Sequence, residues 1–165
     1  MRVGFLFNHD QIHQVAHSLP IANALAEAHP TTHVILALSN ARIATEVERL
    51  LNGKKPANLE IVHLRLKSRS SLLLNRLFRR FIPSAKLLLY RDNLTFFKSL
   101  DALVLTELTS LVLKSRYGLD KLPMYLADHG AGDRAIGFGA SAAKFDHIMA
   151  AGAQLRDRMI ADAGV

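Results

Sequence analysis

Cysteine is absent from this 165-residue chain. That excludes disulfides and thiolate metal sites alike and suits a reducing compartment. Long apolar runs are missing too, since no stretch approaches the ~20 residues a bilayer-spanning helix needs. The opening run, residues 1–7, is too short for the apolar core of a signal peptide, and Asn8-His9-Asp10 ends it. No G-x-G-x-x-G follows this first run and no P-loop occurs, so nucleotide binding by either phosphate turn is disfavoured. The G-x-S-x-G elbow of hydrolases is also lacking. Acidic residues are nearly missing from one segment. Residues 61–100 hold nine Lys/Arg and one acid, Asp92, a net of +8, against +7 for the whole chain. The remainder is close to neutral, so the asymmetry points to a local anionic partner. Few aromatics interleave with those charges. Stacking recognition has little to use, and no nucleic-acid partner is expected.

Half of the residues are apolar, enough at this length for one buried core and a single domain over 1–165. Short apolar runs at 2–7, 33–38, 59–64, 101–106, 123–128 and 146–151 read as six strands. Helical patterns lie between them. One carries Ile12, Val15, Leu19 and Ala22 on a stripe and ends before Pro30. Pro20 interrupts it, either as an early-turn proline with Ser18 as cap or as a kink. Ser39 or Asn40 caps the next helix, which stops at Asn52-Gly53. The basic segment predicts helices over 69–80 and 84–99 divided by Pro83, and further helices follow at 108–117 and 154–163. Apolar strands alternating with helices predict an α/β chain, a three-layer α/β/α Rossmann-like domain with a mostly parallel six-stranded sheet.

Ligands of such sheets bind beyond the carboxyl ends of the strands. The candidates are therefore Asn8-His9-Asp10, Ser39-Asn40, Arg65, Thr106-Glu107, residues 128–134 and Gly152. The richest is Asp128-His129-Gly130-Ala131-Gly132-Asp133-Arg134. Two alternate glycines allow close backbone approach to an anion, and the histidine titrates near neutrality as a general base requires. Its bland alternative is a glycine turn with a surface histidine. His9, His13 and His17 would share a face of a continuous helix, which raises zinc. H-E-x-x-H is absent and Pro20 threatens the helix start, so no metal is expected and His9 and His13 read as polar pocket lining. In the basic segment, Leu72, Leu73, Leu74 and Leu77 are bordered by Arg69, Arg76, Arg79 and Arg80. Such a stripe either lies on an anionic membrane surface or buries its leucines against the sheet.

The residues from Asp128 to Arg134, with Gly137-Phe138, Lys144-Phe145-Asp146, Gly152 and Arg156-Asp157-Arg158-Met159, resemble the N-terminal half of CDP-glycerol glycerophosphotransferase-like proteins of the GT-B group. The element order of the whole chain is similar to a GT-B N-terminal domain. The resemblance implies the acceptor-side domain of a glycosyl- or glycerophosphotransferase, with a nucleotide-activated donor held by a C-terminal domain and no cofactor. His129 would be the base. Gly130, Gly132, Asp133 and Arg134 would shape the loop and contact phosphate, and Asn8, His9 and His13 would line a pocket for a polyol-phosphate or glycan acceptor. A cytoplasmic protein peripheral to the inner membrane face is implied. The polymerising members continue His-Gly-Thr-Pro, whereas this chain has Ala131-Gly132-Asp133-Arg134, which bears on glycerophosphate specificity. The chain stops where such proteins enter the interdomain linker, so by itself it is expected to be inactive. Two other readings stand beside this one: a UDP-N-acetylglucosamine 2-epimerase-like domain, and a non-catalytic binding module using the basic face.

Overall fold

The computed structural model describes residues 1–8, 12–77, 82–127 and 141–163, without the side chains of residues 13, 77, 82–84 and 162–163. Six strands, β1 (Arg2–Phe7), β2 (His33–Leu38), β3 (Leu59–His63), β4 (Ala102–Leu105), β5 (Met124–Ala127) and β6 (His147–Met149), form one sheet. Every pairing is parallel and the order is β3-β2-β1-β4-β5-β6. The chain is thus a Rossmann-like α/β domain. From β1 the strands proceed first toward β3 and then, from β4, toward β6, so the order reverses between β1 and β4.

The sheet is buried on both faces because its strands alternate between two apolar sets. Val3, Phe5, Phe7, Val34, Leu36, Leu38 and Val104 pack with Val15, Leu19 and Ala22 of α1 (Val15–Ala28) and with Ile43, Val47 and Leu51 of α2 (Ala41–Leu51). Leu6, Ile35, Leu103, Leu105, Met124 and Leu126 face the other way. They meet Leu89 and Tyr90 of α4 (Ile82–Asp92), Phe97 of α5 (Leu94–Lys98) and Leu113 of α6 (Val112–Ser115). Gly4 lies on this second face, where a Cβ would come within 2.6 Å of Leu100 Cδ1 and 3.2 Å of Leu103 Cδ1. The absent side chain lets the loop before β4 close onto β1.

Local chemistry explains most boundaries. Asn40 Oδ1 accepts from the Ile43 amide at 3.0 Å, which caps α2, and the helix ends at Asn52 and Gly53, both at positive φ. α1 begins only at Val15, after a 3-10 turn at Ile12–Gln14, and Pro20 lies inside it. Pro20 is therefore not an early-turn residue, and Ser18 is a buried helical residue rather than a cap. The basic segment departs from expectation at two points. Pro83 does not divide its helices but falls in the first turn of α4, where a missing N–H costs nothing. The expected single helix over 84–99 breaks at Asn93, whose Nδ2 donates to Arg65 O at 2.9 Å and Leu89 O at 2.7 Å. The turn at Asn93 redirects the chain from α4 into α5. α3 (Arg69–Leu77) precedes α4, and α7 (Ala153–Ala163) closes the described chain.

α4 crosses the carboxyl edge of the sheet. Near its end Asp92 meets Lys67 and Ser68, just past β3. Tyr90 meets Asn8 at the end of β1, and Lys86 meets Glu107 past β4. This helix therefore roofs the point where the strand order reverses. No helix among the described residues is long and apolar enough to cross a membrane.

Candidate functional site

In open parallel sheets the point where the strand order reverses, here between β1 and β4, is the usual ligand crevice. Asn8, the residue after β1, is 3% exposed. Its Nδ2 donates to the Tyr90 hydroxyl and, at 3.1 Å, to Ser110 Oγ. The Tyr90 and Ser110 oxygens are 3.0 Å apart. Ser110 Oγ donates to Glu107 Oε1 at 3.3 Å, so the Tyr90 hydroxyl is the donor of that pair. Lys86 Nζ donates to both Glu107 oxygens, at 3.1 and 2.9 Å. The donors from Asn8, Tyr90 and Ser110 thus run in one direction and end on a carboxylate that a lysine neutralises.

Burial pushes the Tyr90 phenol above its ordinary value and outweighs the hydrogen bonds it shares with Ser110 and Asn8, with the Glu107 charge acting in the same direction as burial. Tyr90 therefore remains a neutral donor across the physiological range. Lys86 and Glu107 are 23% and 19% exposed and form the solvent-facing end of the cluster. Among the described residues, Asn8 Oδ1 is buried with no hydrogen-bond partner, and so is Ser18 Oγ in the first turn of α1. A buried carbonyl oxygen left unpaired costs about 1–3 kcal/mol. A ligand hydroxyl donating to Asn8 Oδ1 would remove that cost.

A second group holds the roof in place. The Asp92 side chain is 4% exposed and accepts from the amides of Lys67 and Ser68, at 2.8 and 2.9 Å, and from Ser71 Oγ at 2.8 Å and Ser68 Oγ at 3.1 Å. Ser68 Oγ in turn accepts from the Ser71 amide, capping α3. Burial alone would raise the Asp92 carboxyl, but the two amides and two hydroxyls together outweigh it and hold the group at about 2. One carboxylate thereby ties the end of α4 to the start of α3.

Of the residues nominated from sequence, Asn8 and Glu107 have their side chains placed in this cluster. His9, Arg79, Arg80, His129, Gly130, Gly132, Asp133 and Arg134 lie outside the described residues, as does the side chain of His13. β5 ends at Ala127, beside β4, immediately before the nominated loop. Arg69 and Arg76 are exposed on α3. Tyr90, Ser110 and Lys86 were not singled out by sequence reasoning, because nothing in their spacing marks them. The crossing path of α4 brings them together. His147 stacks on Tyr125 with ring centroids 4.7 Å apart, which gives it a packing role on β6. A groove of 480 Å³ between β6 and α7, lined by Phe145, His147, Arg156 and Met159 among others, sits at the far edge of the sheet. Its polar lining residues Asp146, His147 and Arg156 are exposed rather than buried, so the cluster at the strand-order reversal is the stronger site.

No protein-family model, curated protein or solved structure matches this chain.

Proposed function

We propose that this chain is the acceptor-side domain of a GT-B-type glycosyl- or glycerophosphotransferase, acting on a cell-envelope or membrane-associated acceptor at the cytoplasmic face of the membrane. One observation carries the reading. At the strand-order reversal, the buried Asn8 has a carbonyl oxygen without a partner among the described residues, beside a neutral tyrosine, a serine and a lysine–glutamate pair. Such a site suits a ligand rich in hydroxyls. An O–H can satisfy Asn8 Oδ1.

In this reading His129 takes the proton from an acceptor hydroxyl as that oxygen attacks the group being transferred. The bond from that group to the nucleotide phosphate breaks, and the nucleotide leaves with the electron pair. Asp133 and Arg134 order the loop or contact phosphate, Gly130 and Gly132 give the backbone room, and His9 and His13 complete the acceptor wall. The donor is held on the facing domain of such enzymes.

The test is an amide-resolved NMR titration of the chain with glycerol 3-phosphate and, separately, with UDP-N-acetylglucosamine. Glycerol 3-phosphate is expected to shift Asn8, Thr106, Glu107 and the 128–134 segment with millimolar affinity, and His129→Ala should weaken this several-fold without altering the fold. Absence of shifts at those positions, or shifts confined to β6 and α7, overturns the assignment. A response to UDP-N-acetylglucosamine alone would replace it with the epimerase-like alternative.

A further inference from the structure

Large exposed apolar side chains are concentrated on one helix. Leu72, Leu73 and Leu74 are 52%, 59% and 36% exposed, and all three belong to α3. Ser71 of the same helix is turned inward and fully buried against Asp92. At about 100° per residue, Leu73 lies opposite Ser71, and Leu72, Arg76 and Arg69 occupy the arc beside it. α3 is therefore inside out, with Ser71 facing the protein and leucines interleaved with arginines facing away. A helix serving only as a layer of the core would show the reverse.

We propose that this face of α3 docks on an anionic phospholipid bilayer, with Leu72 and Leu73 entering the acyl boundary and Arg69 and Arg76 engaging lipid phosphates. Charge complementarity selects this occupant. The one acid in the +8 segment, Asp92, is enclosed and already holds four donors, so the segment turns no anion outward. Arg65, Lys67, Arg69, Arg76 and Arg91 are all exposed. A second copy of the chain would set this cationic face against itself. A nucleic acid would answer the arginines but offer nothing to the leucines, whereas an anionic bilayer answers both. The Asp92 clasp holds the start of α3 in register with α4, so the face is preformed. It also lies on the same carboxyl edge as the crevice, since α3 follows β3 and α4 roofs the strand-order reversal. The inference rests on exposure and charge alone and stands apart from the transferase reading.

Co-sedimentation of the full chain with vesicles tests it, using phosphatidylcholine alone and phosphatidylcholine mixed with phosphatidylglycerol. Binding is expected only to the anionic vesicles and should fall as salt rises. Arg69→Gln and Arg76→Gln should each weaken it about fivefold. The double variant Leu72→Ser with Leu73→Ser should weaken it on the order of tenfold or more. All these side chains are exposed, so melting should be unchanged, and Arg156→Gln on α7 should bind like the parent. The proposal is overturned by a lack of binding to anionic vesicles or by equal binding to neutral ones. Indifference to the leucine pair would also overturn it, as would a self-associated chain that the leucine substitutions dissociate.

Discussion

The Asp92 clasp makes a quantitative prediction. Substituting Asp92→Asn preserves shape and leaves one oxygen to accept from the amides of Lys67 and Ser68, but it removes the charge that four donors converge on. The carboxyl falls from an ordinary 3.8 to about 2 in the folded chain, which corresponds to about 2 kcal/mol of stability at neutral pH. The side chain is 4% exposed, so solvent screening takes little from that figure. A lowered carboxyl pKa stabilises fully above the unfolded value and is lost as pH falls through the folded one. The deficit of Asp92→Asn should therefore be complete from pH 5 upward and should close between about pH 4 and pH 2. For a domain of this size it amounts to a drop of about 4–8 °C in melting temperature. Urea unfolding followed by far-UV circular dichroism, at pH 7 and at steps down to the lowest pH where the parent stays folded, measures it directly. A gap below a few tenths of a kcal/mol at pH 7, or one that persists undiminished at the acid end, would refute the reasoning.

The polar crevice and the packing beneath it give two more tests. Tyr90→Phe keeps the edge-on contact with Phe97, at 5.8 Å between ring centroids, but removes the hydroxyl shared by Asn8 and Ser110, so a loss of about 1–2 kcal/mol in urea unfolding is expected. Because burial holds the phenol above its ordinary 10.0, the parent keeps this contribution below pH 10 and loses it progressively above. The gap to Tyr90→Phe should therefore narrow in alkali, and a constant gap would show that the hydroxyl is not what matters. Gly4→Ala places a methyl group 2.6 Å from Leu100 Cδ1 and should cost about 1–3 kcal/mol. Adding Leu100→Val should recover part of the loss, and strict additivity of the two substitutions would argue that the strain lies elsewhere.

The sheet was legible in the sequence because each strand is a short, nearly continuous apolar run between polar breaks, and runs such as residues 33–38 satisfy only a strand buried on both faces. Asn40 and Asn52-Gly53 likewise announced the two ends of α2 by chemistry that acts within a few residues. The basic segment was less legible. Its leucines and arginines repeat as they would in a core-packed helix, and periodicity carries no sign to say which side of α3 faces the protein. The answer came from Ser71 and Asp92, residues 21 apart, whose bonding turns the leucines outward. Asn93 broke an otherwise uniform helical pattern by reaching Arg65 O, a partner that exists only once β3 and α4 are side by side.

By itself, the chain of residues determined the class of fold, the number of strands and the nomination of strand ends as the place for chemistry, since hydrophobic period and capping are local properties. Only the tertiary structure decided which strand end carries the buried polar cluster and which helix face is left uncovered. Asn8, Lys86, Tyr90 and Ser110 come from three separate stretches of chain, and nothing local to any of them encodes the helix crossing that unites them. That crossing is set by where α4 finds apolar surface to bury, a balance struck over the whole core at once.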